Sequence, residues 1–207
     1  MPEVAGIADA VLQVWYPGCE GGHAVADVIF GDAAPSGKLP VTVPQRTADL
    51  PPFIDYAMKG RTYRFATAEP LFPFGFGLGY AQLSYGPLAI GTTKVAVGDT
   101  LTLRTTLTNA SDRAALEAVQ CYVQPPRGWP DAPFATLVDF RKVNVPAKSS
   151  VTVEFTVPAA AFAQVDAAGQ HVHAPGVYGV TIGSASPGPR AVALGAPVPA
   201  TGSVTLV

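Results

Sequence analysis

The stretch TLTLRTTLTN, residues 100–109, alternates apolar and polar positions without a break. Leu101, Leu103, Thr105 and Leu107 fall on one face of an extended chain, and threonines and Arg104 on the other. That is the period-2 signature of a strand with one face in a core and one in water. The pattern returns in SSVTVEFTVP (149–158), where Val151, Val153, Phe155 and Val157 share a face. EAVQCYVQPP (117–126), ATLVDFRKVNVP (135–146), GVYGVTIGS (176–184) and the terminal SVTLV follow, separated by turn residues, with Pro175-Gly176 turning into the fifth of these segments. Short strands at this spacing predict a mainly β protein whose residues 83–207 form an antiparallel β-sandwich.

Composition agrees. The 207 residues include 21 prolines and 21 glycines but only two methionines, which favours many short strands over a helical bundle. A hydrophobic fraction of 48% is enough to build a core. Charged residues make up 14%, the net charge is -2, and basic residues cluster no further than pairs such as Arg141-Lys142, so there is no footprint for a nucleic-acid backbone. No apolar run approaches the ~20 residues that cross a bilayer, so no membrane is expected as a partner. The opening Met1-Pro2-Glu3 lacks the basic and apolar regions of an export signal. Cys19 and Cys121 are read as two free buried thiols, a long-range disulfide being the alternative that spacing leaves open.

The chain begins differently. ADAVLQVWYPG is a continuous apolar run ending in Pro-Gly, the pattern of a strand buried on both faces. Ala24, Val25, Val28 and Ile29 then recur at helical spacing, and Gly31 stands where a left-handed stop belongs. A second short strand is expected from Lys38 to Val43. Residues 1–45 thus read as a partial α/β unit, strand-helix-strand, too small to cover both faces of its own sheet. Residues 11–43 are expected to expose a sheet edge and an apolar helix face, with self-association as one outcome. Residues 46–82, with LPPFIDYAMKGRTYRF and EPLFPFGFGLGY, carry too many aromatics for a solvated linker and read as an ordered connector.

Several side chains invite a chemical reading. Glu20 follows the Pro-Gly turn and precedes a double glycine, but a carboxylate there also suits the positive end of a helix, which is the preferred reading. His23 and Asp27, four apart, are expected to meet as a polar pair. His171 and His173 share a face in an extended segment, with no third ligand in view, so no metal or cofactor is expected. Lys59, Arg61, Tyr63 and Arg64 place charge and an aromatic ring in one loop, a combination suited to a sugar-binding rim or to tying the connector to its neighbours. In PPRGWPDAPF, Trp129 is expected to pack under its own prolines, and Phe134 belongs to the same loop.

In order, VLQVWYPGCEGGHAVADVIFGDAAPSGKLPVTVP, MKGRTYRF and EPLFPFGFGLGY, followed by the sandwich, resemble the C-terminal part of glycoside hydrolase family 3, the β-glucosidases and β-xylosidases. DYAMKGRTYRF leans toward the β-xylosidase-like members. The resemblance implies a fibronectin type III-like, immunoglobulin-like sandwich behind the end of an α/β-sandwich domain, in an enzyme that hydrolyses O-glycosyl bonds. It also implies that the nucleophilic Asp, on a (β/α)8 barrel, and the acid/base Glu lie upstream of these residues. Retaining hydrolysis needs two carboxyl groups about 5–5.5 Å apart, and none of the acidic residues here announces such a pair. No catalytic residue is therefore assigned. The isolated chain is expected to be inactive and to support the barrel and the rest of the α/β domain, or a separately encoded barrel chain. An independent carbohydrate-binding or adhesive module, with an oligosaccharide as ligand, is the alternative. Enzymes of this kind are often periplasmic or secreted, but the location of this one is left open.

Overall fold

The computed structural model describes residues 2–129 and 131–207. Its helices are α1 (Pro2–Ile7), α2 (Gly21–Phe30), α3 (Thr62–Phe65) and α4 (Pro189–Ala193). Its strands are β1 (Leu83–Tyr85), β2 (Ala89–Ile90), β3 (Lys94–Val95), β4 (Thr100–Asn109), β5 (Ala115–Gln124), β6 (Thr136–Val145), β7 (Ser150–Pro158), β8 (Gln164–Val165), β9 (His171–Val172), β10 (Gly176–Gly183) and β11 (Ala200–Leu206).

Two sheets stack face to face. In one, β4 pairs with β7 along one edge and with β1 and β2 along the other; in the second the order is β3-β11-β10-β5-β6. All pairings within the two sheets are antiparallel except β11 with β3. The alternation that predicted β4 and β7 is the register that joins them: Leu101 faces Val157, Leu103 faces Phe155 and Leu107 faces Val151. Leu101, Leu103, Leu107 and Phe155 meet Val119, Val180 and Ile182 of the opposite sheet in one apolar core. This is the mainly β, antiparallel sandwich expected, and its long strands fall within three residues of the predicted segments. β1, β2, β3, β8 and β9 are two or three residues long, too short for alternation to announce them.

β5 departs from the one-wet-face pattern. Residues 119–123 are all buried, because residues 71–77 of the connector lie across the outer face of this sheet. Phe76, Ala185, Ala191 and Ala196 make a second, smaller apolar cluster there, with Leu39, Phe72 and Leu194 against it.

At the beginning of the chain the expected helix forms and its expected strands do not. α2 ends on Gly31, in the left-handed region at φ 83°. Its last carbonyls are taken up from a distance: Tyr80 Oη donates to Val28 O, and Arg113 Nη1 donates to Gly31 O at 2.8 Å. Residues 8–18, read as a buried strand, form no strand and pair with none among the described residues, and Trp15 lies at φ 53° within them. A parallel strand exists only through its neighbours, and no strand described here runs beside it. Lys38–Val43 likewise forms no ladder; it makes one isolated bridge, Val43 with Phe72, flanked by Leu39 N–H to Phe76 O at 2.9 Å. This segment has turned to pair with the connector.

The apolar side chains of this region stay outside. No residue of α2 is buried, and Tyr16 and Phe30 are 100% and 81% exposed. Cys19 is exposed too, against the expectation of two buried thiols; Cys121 is buried, and neither is in a disulfide.

Core and lead segment should therefore respond differently to truncation. Leu103→Ala is expected to cost about 2–5 kcal/mol of unfolding free energy, and Ile29→Ala, on the exposed face of α2, less than about 0.5 kcal/mol. Urea denaturation followed by tryptophan and far-ultraviolet signals measures both.

Candidate functional site

The polar groups that converge most closely lie where the connector meets β5. Gln120 is buried, and its side-chain amide is fully engaged: Nε2 donates to Gly75 O at 3.1 Å and to Ser184 O at 2.8 Å, while Oε1 accepts from Tyr122 Oη at 2.5 Å. A buried carboxamide without these partners would be costly. Gly75 is the residue that permits the approach. Its φ is 76°, and a Cβ there would stand 2.0 Å from Gln120 Oε1.

Beside this hub, Lys38 Nζ lies 2.9 Å from Glu117 Oε1, both side chains nearly buried, and donates to Gly77 O at 2.6 Å. The ammonium meets the carboxylate at ion-pair distance without hydrogen-bond alignment. Tyr85, hydrogen-bonded to Ser184 Oγ at 3.1 Å, has its phenol pushed well above the usual range by burial and then by the Glu117 carboxylate. Tyr122 is raised by burial and by Tyr63. Both phenols are held neutral, and that of Tyr122 donates to Gln120.

The five residues considered for a substrate rim divide among three places. Tyr63 stacks on Phe74 at 4.4 Å, meets Tyr122 edge-on at 5.9 Å, and accepts the Leu137 N–H at 3.1 Å. Arg64 lies over the Phe65 ring and reaches Thr136 Oγ1 at 3.5 Å, while its carbonyl accepts the Phe134 N–H at 2.7 Å. Arg61 turns the other way, into residues 52–57, and donates to the carbonyls of Pro52 and Ala57 at 3.0 Å and to that of Asp55. Lys59 is exposed on the same loop. Glu20 stands apart at the start of α2, where its carboxylate makes no backbone cap. It pairs instead with His23 Nδ1 at 2.7 Å, both side chains 84% exposed. His23 was expected to meet Asp27; the bend at Glu20 brings the carboxylate three residues back within reach first.

The remaining candidates do not converge. His171 is exposed on β9, His173 is half-buried with an unpartnered Nδ1, and the described residues hold no group of three or more His, Cys, Asp or Glu placed to take a metal. Trp129 is half-buried and Phe134 is exposed; Pro130, one of the prolines expected to cover Trp129, lies outside the described residues, as does Met1.

Gln120, Lys38 and Glu117 were not singled out from the sequence. The signal was present in VQCYV, where a polar residue interrupts a run buried on both sides, and in FGFG, where glycines alternate with rings.

Residues 117–186 match the fibronectin type III-like domain, and residues 1–80 match the glycosyl hydrolase family 3 C-terminal domain, a span that takes in both the lead segment and most of the connector. The chain belongs to glycoside hydrolase family 3, as a C-terminal portion of that architecture. It is 37% identical over 179 residues to a xylan 1,4-β-xylosidase of Xylanibacter ruminicola, covering 86% of this chain and 20% of that one. It is 39% identical over 157 residues to a β-glucosidase of Rhizobium radiobacter, covering 68% of this chain and 19% of that one. The solved structure of a β-glucosidase from Erythrobacter marinus superposes with a TM-score of 0.81 at 30% identity, over 99% of this chain and 26% of that one. The chain thus spans about a fifth of the length of the curated relatives it matches.

Two measurements test the seam. Gly75→Ala should destabilise the chain by about 2 kcal/mol or more through strain and a displaced amide, with faster hydrogen exchange across residues 71–77. Burial, then Asp139, pushes the Cys121 thiol up to about 12, so an aromatic disulfide reagent should titrate Cys19 in the native chain and Cys121 only after denaturation.

Proposed function

We propose that this chain is the docking and supporting portion of a family 3 β-glycosidase, in which the sandwich holds the connector and the connector presents the lead segment to a catalytic portion. The domain limits fall near residues 45 and 82. The observation that carries the proposal is the contrast in burial. Leu101, Leu103 and Phe155 are wholly buried, whereas Ile7, Val11, Trp15, Tyr16, Ile29 and Phe30 are exposed in one continuous part of the sequence. Large apolar side chains concentrated outside a core mark a surface that another body covers.

Residues 8–18 fit a strand that completes a parallel sheet once neighbours are supplied, since they are apolar and make no strand pairing among the described residues. In the absence of that partner the same surface drives self-association. Hydrolysis itself is assigned to carboxylates outside this chain. Glu20 is open to water and paired with His23 rather than set opposite a second carboxyl group. Tyr63 and Arg64 serve as ties between connector and sandwich. Lys59, and the loop that Arg61 shapes, are the part of the candidate rim left facing outward. The substrate class follows from the relatives, as a β-linked glucoside or xyloside.

The test is a chimera in which this chain replaces the matching fifth of the Xylanibacter ruminicola β-xylosidase. It should be monodisperse and hydrolyse nitrophenyl β-xyloside or β-glucoside, while the 207-residue chain alone should hydrolyse neither. A well-folded chimera without turnover counts against the proposal, as does turnover by the isolated chain that is lost on Glu20→Gln.

A further inference from the structure

Residues 52–57 invert the usual economy of a surface loop. The carbonyls of Pro52, Asp55 and Ala57 are taken up by Arg61, and the apolar side chains face outward: Phe53, Ile54 and Tyr56 are 91%, 84% and 88% exposed. Order is imposed from one residue. The Arg61 guanidinium donates through Nε to Ala57 O and through Nη2 to the carbonyls of Pro52 and Asp55. The Asp55 N–H bonds Pro52 O at 3.0 Å, and the Asp55 carboxylate takes the Ala57 N–H at 2.9 Å. Gly60 and the β-branched Thr62, both at positive φ, turn the chain on either side of Arg61. A planar fork of donors suits three carbonyls fanned around it, and a lysine could not reproduce it.

An unpartnered aromatic loop gains nothing from being ordered in advance unless something docks on it, because ordering costs conformational entropy. The occupant is indicated by what surrounds the equivalent loop in a longer solved relative. The Erythrobacter marinus β-glucosidase aligns over 99% of these residues with only 26% of its own, so the equivalent of this loop is embedded in a chain about four times as long.

We infer that residues 52–57 are a pre-ordered aromatic anchor that seats on the catalytic portion of the family 3 enzyme, and that Arg61 is the residue that positions it. This rests on the docking role proposed above and adds a specific contact to it. Phe53 and Tyr56 supply the buried area of the contact, and Arg61 removes the entropy cost of presenting them.

The experiment has two arms. In the isolated chain, Arg61→Ala should raise hydrogen exchange of residues 55–61 by about tenfold or more, since it removes three charge-assisted bonds. The sandwich melting transition should not move, and Arg61→Lys should recover only part of the protection. Phe53→Ser with Tyr56→Ser should leave that exchange unchanged in the isolated chain, yet in the chimera it should lower kcat by about tenfold through a misplaced catalytic portion, split the single melting transition in two, and admit proteolysis at the loop. Three results would overturn the anchor: unchanged exchange in Arg61→Ala, an active chimera indifferent to the double substitution, or a rise in KM alone, which would make the loop a substrate contact. A chimera inactive before any substitution counts against the docking role itself, while the exchange arm still reads the part played by Arg61.

Discussion

A single carboxamide, buried on the outward side of β5, dictates how the rest of the chain is arranged. Gln120 sits where a half-exposed sheet would present a residue to water, and nothing wet reaches it. Its amide must therefore find protein partners, and it finds them in Tyr122, Ser184 and the Gly75 carbonyl. The last of these pins the connector to the sheet. Once Gly75 is fixed, Phe74 lies against Tyr63, Phe76 lies in the small apolar cluster, and Lys38 lies within reach of Glu117. Networks of this kind contribute by excluding alternatives, because a half-satisfied buried amide is worse than none. The outer face of the sandwich has become an interior, and the connector is part of the fold.

That arrangement explains what could be read in advance. β4 and β7 obey alternation because each has one dry face, and their predicted inward residues are the ones in the core. β5 does not obey it, since VQCYV has the inter-sheet core on one side and, on the other, a segment some 45 residues earlier in the chain. Residues 8–18 and 38–43 show the converse error. Their composition is that of strands, but a strand is a relation between segments: among the described residues, 8–18 has no strand partner, and 38–43 has only the bridge of Val43 with Phe72. Tyr63 and Arg64 were noticed for their chemistry; their contacts with Leu137, Thr136 and Phe134 depend on sequence separations of about seventy residues, which no local pattern encodes. Glu20 was correctly located at a helix start, but its side chain chose His23 over the backbone.

The molecule also has a gradient of order along its length. The sandwich combines long ladders with a dry core, so its strands open only with the whole unit. The lead segment is attached at the end of α2, to Tyr80 and Arg113, and through Lys38, Leu39 and Val43, which bond Glu117, Gly77 and the connector. These contacts fix where α2 emerges without burying it. A surface presented in this manner is stiff at its root and open along its length, as suits an element whose packing is finished by another body.

Asn109, at the end of β4, has its side-chain nitrogen within hydrogen-bond distance of the carbonyls of Arg113, Val145 and Pro146, and its oxygen accepts the Ser111 N–H. It is 1% exposed. The tripeptide Asn109-Ala110-Ser111 nevertheless has the acceptor pattern for N-linked glycans. Because the nitrogen that would carry the sugar is the one holding three strand-end carbonyls together, a glycan can be attached only before the sandwich closes and would then keep it from closing. In a glycosylating secretory pathway, the speed with which β4 meets β7 becomes a condition for obtaining the native chain at all.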